Sequence, residues 1–426
     1  MNQNHSLTRR KFVATGGIGM ATALTGCSTN VLSQSASTTP TISASSWATG
    51  TEDEIVTRIL SEYDQAHPEV NVVYQNIPSG FDQQLKTEYA GGTEPDVFYL
   101  SAEEAPQYME NEALLDMTPY IQNAAYNVDG LIDNLISAFQ HQGKTYGIPK
   151  DYTPVGIYYN EAHLQKAGTK TTFDTWDDFR TALEDVKRKT EIEYPLAFNS
   201  EPRETFLPLV WQNGGAVLNE DGTECVIGST EAIEALQFLM DLYDDGLAGM
   251  YSAEIPVDWG APALGENHTT AAMGGAWFVS ALQEEYPETT KSLQMVKRMP
   301  KPPGGERATL LLTTAWAPSA TPTDKKGAAG LVKALTNQQG MWAWAKTGTA
   351  LPSRQSLLER NFYNKQPLLG NIANLTEGGY PLQFGLNTGR IIDTVLSEVE
   401  GAVSGDNSAD SAMKSAERLI NNNILS

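Results

Sequence analysis

Val70-Asn71-Val72-Val73-Tyr74, then Phe81 to Tyr89, then Gly91-Gly92, then Asp96-Val97-Phe98-Tyr99-Leu100 form the stretch on which the fold class turns. The first segment is β-branched and reads as a strand. The second reads as a helix, ended by the glycine pair. The third is a second buried strand. Upstream, Thr51-Glu52-Asp53-Glu54 has the spacing of a capping box, with Thr at the cap and Glu at N3. Ile55, Ile59, Leu60 and Tyr63 follow at helical spacing, and Pro68 closes the segment. Strands and helices alternating at this spacing imply parallel pairing through crossover helices.

The alternation continues down the chain. Thr175-Trp176-Asp177-Asp178 starts a helix with Trp176, Phe179, Leu183 and Val186 on one face. Asn219-Glu220-Asp221-Gly222 is a hairpin turn signal. Ser229 caps a long helix with Ile233, Leu236, Met240 and Tyr243 inward, stopped at Gly246. After the breaker Lys301-Pro302-Pro303-Gly304-Gly305, Leu310-Leu311-Leu312 reads as a buried strand. Helices are expected over 324–336, 338–346 and 408–421. No repeat of fixed period is present. The chain is α/β throughout, and at 426 residues it is too long for one doubly wound sheet without a second lobe.

Composition narrows the function. The formal net charge is −23, and it becomes −26 without the first 26 residues, which hold Arg9, Arg10 and Lys11 and no carboxylate. Such a surface repels phosphate backbones, so nucleic acid is not an expected partner. Two cysteines exclude a disulfide scaffold and a multi-cysteine metal site. No run of about 18 apolar residues is available to span a bilayer.

The N-terminus reads as an address followed by an anchor. Arg9-Arg10-Lys11-Phe12 precedes a mildly apolar run to Leu24, and Leu24-Thr25-Gly26-Cys27 follows. This order resembles a twin-arginine export signal over 1–26 that ends in a lipobox. A diacylglyceryl group on the Cys27 sulfur would hold the protein at the outer face of the cell membrane, each buried methylene contributing roughly 0.8 kcal/mol. From Ser28 to Ser46 eleven of nineteen residues are Ser or Thr and none is charged, so 27–40 is expected to be a tether. Cys225, in Glu224-Cys225-Val226-Ile227, is expected to be a half-buried strand thiol.

Catalytic signatures are missing. There is no G-x-S-x-G, no H-E-x-x-H, no G-x-x-x-x-G-K, and no G-x-G-x-x-G between a strand and a helix. The five histidines (His5, His67, His141, His163, His268) form no ligand pair at helical spacing. No cofactor or metal is implied.

Aromatic residues carry the remaining signal. Eight tryptophans stand in a chain with 19% charged residues. Trp176 lies on a capped helix face and reads as core, as do Trp342 and Trp344. Trp47, Trp211, Trp259, Trp277 and Trp316 fall near strand ends or in loops, where α/β ligand crevices form, though each is equally a core candidate. Indole rings stack on the C–H face of a sugar, while Asp, Glu, Asn and Arg bond its hydroxyl edge.

Five segments then resemble one family in order. They are Gly91-Gly92-Thr93-Glu94-Pro95-Asp96-Val97-Phe98, Tyr146-Gly147-Ile148-Pro149-Lys150-Asp151 through Gly156-Ile157-Tyr158-Tyr159-Asn160, Thr175-Trp176-Asp177-Asp178-Phe179, Ala271-Ala272-Met273-Gly274-Gly275-Ala276-Trp277 and Ala350-Leu351-Pro352-Ser353-Arg354. The chain is similar to family 1 extracellular solute-binding proteins, the sugar-binding components of ATP-binding cassette (ABC) importers, distantly related to maltose-binding protein. Thr313-Thr314 departs from the glycines frequent there. The resemblance implies a two-lobed, type II periplasmic-binding-protein-like α/β fold, hinged by several crossing strands. Lobe one would take 41–149 plus 309–350, and lobe two 150–308 plus 351–426. It also implies a cleft lined by Trp47, Asp96, Asp151, Tyr152, Trp211, Asn213, Trp277, Trp316 and Arg354. Asp96 has a competing role as a turn cap, and Arg354 as a partner of a lobe carboxylate. The implied protein is a lipid-anchored, non-enzymatic monomer that delivers a carbohydrate to permease transmembrane subunits. A polyamine or other cation, and a secreted glycoside hydrolase or lyase, are the rival readings.

Overall fold

A computed structural model describes residues 39–48, 50–122, 126–200 and 202–426. Cys27, the signal and most of the tether lie outside them.

The opening alternation folds as read. Strand β1 (Thr41–Ser46) leads to helix α1 (Thr51–Ala66), β2 (Asn71–Asn76), α2 (Phe81–Gly91) and β3 (Val97–Ser101). Both β2 and β3 pair parallel to β1. Gly92 closes α2 at φ 66°, a left-handed position that suits glycine. The expected capping box at Thr51 does not form. Gly50 is the cap residue, and no side chain caps the helix. Glu52 is instead drawn to Lys150, a partner 98 positions away.

Beyond β3 and a short antiparallel hairpin at Gln140–His141 and Lys144–Thr145, the strands are β4 (Ile148–Pro154), β5 (Gly156–Asn160), β6 (Leu196–Phe198), β7 (Ala248–Met250), β8 (Ala271–Gly274), β9 (Leu293–Met295), β10 (Thr309–Pro318), β11 (Leu351–Pro352) and β12 (Gly379–Pro381). The first sheet runs β11-β4-β10-β3-β1-β2, with β12 added on β10, and the second runs β9-β5-β8-β6-β7. The chain passes from the first sheet to the second at Val155 and returns between Met295 and Thr309.

Each sheet has its own apolar core, and the crossing strands serve both. Ile148 of β4 lies in the first core and Tyr152 in the second; on β10, Ala315, Trp316 and Ala317 join the first, Leu310 and Leu311 the second. The register of β10 against β4 shifts between Thr314 and Ala315, where the strand changes core.

In the second lobe, helix α3 (Trp176–Lys189) carries a complete capping box between Thr175 and Asp178, and Trp176, Phe179, Leu183 and Val186 are buried. Helix α4 (Arg203–Gln212) and helix α5 (Thr230–Asp244) pack beside it, the latter capped by the Ser229 side chain. Its buried stripe is Ala232, Ala235, Leu236, Leu239 and Leu242; of the expected face only Leu236 is fully covered, and Ile233, Met240 and Tyr243 lie half-buried on the flank. Cys225 is buried rather than half-buried, and burial pushes its thiol up to about 11. Helix α6 (Trp277–Glu285), α7 (Lys325–Thr336), α8 (Gln338–Ala345), α9 (Thr388–Val403) and α10 (Ala409–Asn423) complete the layers used below.

Candidate functional site

Parallel strands deliver loops at their carboxyl ends, and that is where a crevice forms. In the first lobe these ends carry Trp47, Asn76 and Glu103; in the second they carry Asn199, Tyr251 and Gly275–Trp277. The walls meet at identifiable contacts. The Arg203 guanidinium at the start of α4 approaches Glu103 at 3.5 Å. The Ala276 amide donates to Thr153 Oγ1 of crossing strand β4 at 2.8 Å. Trp342 of α8 packs against both apolar cores.

Each wall presents indole in a fixed setting. Trp47 is half-buried and held edge-on by Phe81 at 5.1 Å and Tyr99 at 5.0 Å. In the second lobe, Trp259 and Trp277 flank Phe278 at 5.6 and 6.1 Å, and both indoles are half-buried. Gly275 makes room for Trp277: a Cβ there would stand 2.2 Å from the indole. Trp342 lies under the Arg360 guanidinium at 4.1 Å and edge-on to Phe362 at 5.5 Å.

Beneath the first wall lies a closed ionic network. Lys150 Nζ bonds Glu52 at 3.0 Å and is paired with Asp151 Oδ2. The same ammonium stands 4.6 Å from the centroids of the Tyr99 and Trp344 rings. Trp344 Nε1 donates to Asp151 Oδ2 at 2.6 Å, and Tyr99 OH donates to Glu52 at 2.8 Å. Burial alone would pull the Lys150 ammonium down, but Asp151 and Glu52 more than offset it and hold it above its ordinary value. One cation cannot neutralise two carboxylates, and burial raises the Asp151 carboxyl despite Lys150.

The remaining expected residues divide by position. Tyr152 is buried, its hydroxyl shared with Thr376 at 2.9 Å and pushed up to about 12 by burial. Trp316 is a core residue edge-on to Tyr99 at 4.3 Å. Asp96 lies before β3, at the end of the strand away from the crevice; its carboxylate accepts from Ser43 N at 2.7 Å, Ser43 Oγ at 2.8 Å and Thr323 N at 2.5 Å. Arg354 donates to the carbonyls of Thr336, Asn127 and Tyr126 at 3.1, 2.8 and 3.2 Å and stacks over Tyr126; its partners are backbone groups, not a carboxylate. Trp211 and Asn213 sit at the far end of α4 from Arg203. Trp211 stacks on Tyr380, and Asn213 donates to Glu231 O and Glu234.

Of the expected residues, Trp47 and Trp277 follow the carboxyl ends of strands in the first and second lobes and Asp151 lies in the ionic network below Tyr99, while the structure adds Glu103 and Arg203, in direct contact across the walls, and Trp259, Trp342, Arg360 and Phe362 as further aromatic and cationic groups. Among the added residues, only the tryptophans carried a signal in the sequence. Glu103 and Arg203 are ordinary charges there, and only the fold sets them face to face. Burial pushes the Glu103 carboxyl up against the pull of Arg203. No group of three metal-ligating side chains exists among the described residues, and none of their helices is long and apolar enough to cross a membrane.

Two α/β lobes joined by crossing strands, with aromatic side chains on both facing walls, define a two-lobed type II binding-protein fold. The chain belongs to the bacterial extracellular solute-binding protein family, whose model matches residues 58–371; membership implies an extracytoplasmic location. It is similar to the lactose-binding protein of Rhizobium radiobacter, 25% identical over 244 residues, covering 54% of this chain and 55% of that protein. The chain spans about half the length of the curated relatives it matches. Among solved structures, an ABC substrate-binding protein from Listeria monocytogenes in complex with cycloalternan superposes with a TM-score of 0.79 at 23% identity, over 90% of this chain and 98% of that one. The GacH receptor of Streptomyces glaucescens, solved unliganded and with acarbose, gives 0.78 at 17% identity, over 89% and 97%.

Proposed function

We propose that the chain is the substrate-binding component of an ABC importer, closing its two lobes on a sugar or oligosaccharide. The reading is supported by an indole at the carboxyl ends of strands in each lobe, Trp47 fixed by Phe81 and Tyr99, and Trp277 fixed beside Phe278. Stacking surfaces on both sides grip a ring between its C–H faces, while Glu103 and Arg203 supply an acceptor and donors for hydroxyls. Contact with both lobes favours the closed state, because only differential affinity moves a hinge equilibrium. The proteins named above as binding lactose, cycloalternan and acarbose support the ligand class.

In this reading lobe one takes 41–149 and 309–350, and lobe two takes 150–308 and 351–426. The protein acts as a monomer without turnover or cofactor, hands its ligand to permease transmembrane subunits, and is held at the outer membrane face by a diacylglyceryl group on Cys27 after export through a twin-arginine signal. Asp96 and Arg354, engaged with backbone groups, serve the framework instead of the ligand. Calorimetric titration with mono- and oligosaccharides tests the reading; silence across the panel with heat from a polyamine overturns it. Mass spectrometry of the membrane-extracted protein tests the anchor.

A further inference from the structure

Tyr380 is a large hydrophobic side chain left exposed, at 41%, yet its ring is fixed. One face lies on buried Trp211 with 5.0 Å between centroids and 14° between planes. The chain leading to it is set tightly against its neighbours: a Cβ at Gly378, just before the strand, would stand 2.1 Å from the Arg307 carbonyl oxygen, and one at Gly379 would stand 2.3 Å from the Leu311 side chain. The ring lines a cavity of about 460 Å³, whose polar walls are Arg298, Arg307, Glu306, Glu377 and Asn374. Tyr380 OH reaches Glu306 at 3.4 Å. Asp174 holds Arg298 at 2.7 Å and Arg307 at 3.1 Å. This cavity adjoins the carboxyl end of α4, whereas Arg203 and the crevice are at its amino end, ~15 Å away along the helix.

We propose that this cavity is a second carbohydrate site, on the outer surface, taking one neutral sugar ring stacked on Tyr380. The chemistry argues for a neutral guest. With Asp174, which engages both arginines, two guanidiniums stand against three carboxylates, a net of −1 that disfavours an anionic guest and leaves Glu306 and Glu377 as acceptors for hydroxyls. A rigid aromatic face suits the C–H side of a pyranose, and the carboxylates and the Asn374 amide accept from and donate to its hydroxyl edge. The volume falls in the ~300–1,000 Å³ of small-molecule sites.

The proposal does not depend on the crevice, and the experiment separates the two. Maltotetraose, lactose and arabinotriose are titrated into the protein while the Trp211 indole resonance is followed by NMR. The same titrations are run on Tyr380→Ala, Tyr380→Phe and the crevice double variant Trp47→Ala/Trp277→Ala. The expected result is a saturable Trp211 shift with at least one sugar, kept in Tyr380→Phe and in the crevice variant, and weakened about ten-fold or lost in Tyr380→Ala. No shift with any of the three sugars overturns the proposal, as does an equal affinity in Tyr380→Ala. A shift that vanishes in the crevice variant reports lobe closure and overturns it too. A crevice silent to all three sugars beside a surviving Trp211 shift refutes the crevice reading alone.

Discussion

Trp344 donates its indole N–H to the carboxylate of Asp151 at 2.6 Å, which bonds α8 directly to crossing strand β4. Asp151 also pairs with Lys150, and Lys150 reaches Glu52 in the first turn of α1. Three elements from separate parts of the chain therefore meet on one ammonium, at the base of the wall that carries Trp47.

Removing that ammonium leaves buried Asp151 and half-buried Glu52 without their cation. Lys150→Met is expected to destabilise the protein by about 3–5 kcal/mol. Restoring charge balance with Asp151→Asn in the same chain should recover part of the loss. Urea unfolding of the single and double variants measures both; a single variant within ~0.5 kcal/mol of wild type would show the network to be idle.

The same group sets an alkaline limit. Its ammonium is held above its ordinary value of 10.5 by Asp151 and Glu52 against the pull of burial. A lysine raised in the folded state stabilises fully below its unfolded value, and that contribution disappears as pH rises through the folded value. The stability difference between wild type and Lys150→Met is therefore expected to be flat from neutral pH to about 10 and to shrink above 10.5. A difference that grows with alkalinity contradicts the sign.

Much of the architecture could be read before the coordinates because it is local. The strand at 97–101, the helix at 81–91 and the capping box at Thr175 each depend on residues within a few positions of one another. What escaped was non-local. Thr51 and Glu54 have the spacing of a cap, but Gly50 takes the cap position, no side chain caps the helix, and Glu52 in its first turn bonds distant Lys150. Strand β10 pairs antiparallel with β3 and β4, whose partners are some 200 and 160 positions away, beyond any periodicity. Asp96 and Arg354 look like ligand groups because a sequence shows charge but not the backbone amides and carbonyls that claim it. Trp211, expected near a strand end or in a loop, lies in the last turn of a helix.

Gly275 gives a test of how the second wall is built. A methyl group there would meet the Trp277 ring at 2.2 Å and Thr153 Oγ1 at 2.7 Å. Gly275→Ala is expected to cost about 1–3 kcal/mol of stability through overpacking. It should also weaken sugar binding, because the displaced indole is the stacking surface. Thermal unfolding with calorimetric titration checks both; full affinity in a destabilised variant would separate Trp277 from the ligand.

Glu103 and Arg203 approach at 3.5 Å from opposite lobes, with side chains about a quarter to a third exposed. A pair so hydrated contributes at most ~1 kcal/mol, so Glu103→Gln is expected to leave the unfolding midpoint within a degree or two. Its effect should appear in the hinge, where a bias of that size changes a two-state ratio by up to about five-fold. Small-angle scattering of the ligand-free variant should then report a larger mean radius than wild type at low salt and the same radius at high salt, where screening removes the pair's attraction in both. Identical radii at low salt would mean that the contact follows closure and does not favour it.

The two indoles make a stronger claim, since they connect affinity to closure. If a ring is held between Trp47 and Trp277, removing either loses its stacking contribution and the lobe contact that favours closure. Trp47→Ala and Trp277→Ala are each expected to weaken binding by about ten- to a hundred-fold, and saturating sugar should then produce less compaction in scattering than in wild type. A variant that loses affinity yet compacts fully at saturation would place its indole outside the closing contact. A variant that keeps wild-type affinity would remove that wall from the site altogether, since Trp47 and Trp277 follow strands of different sheets and pack on separate cores, so neither can substitute for the other.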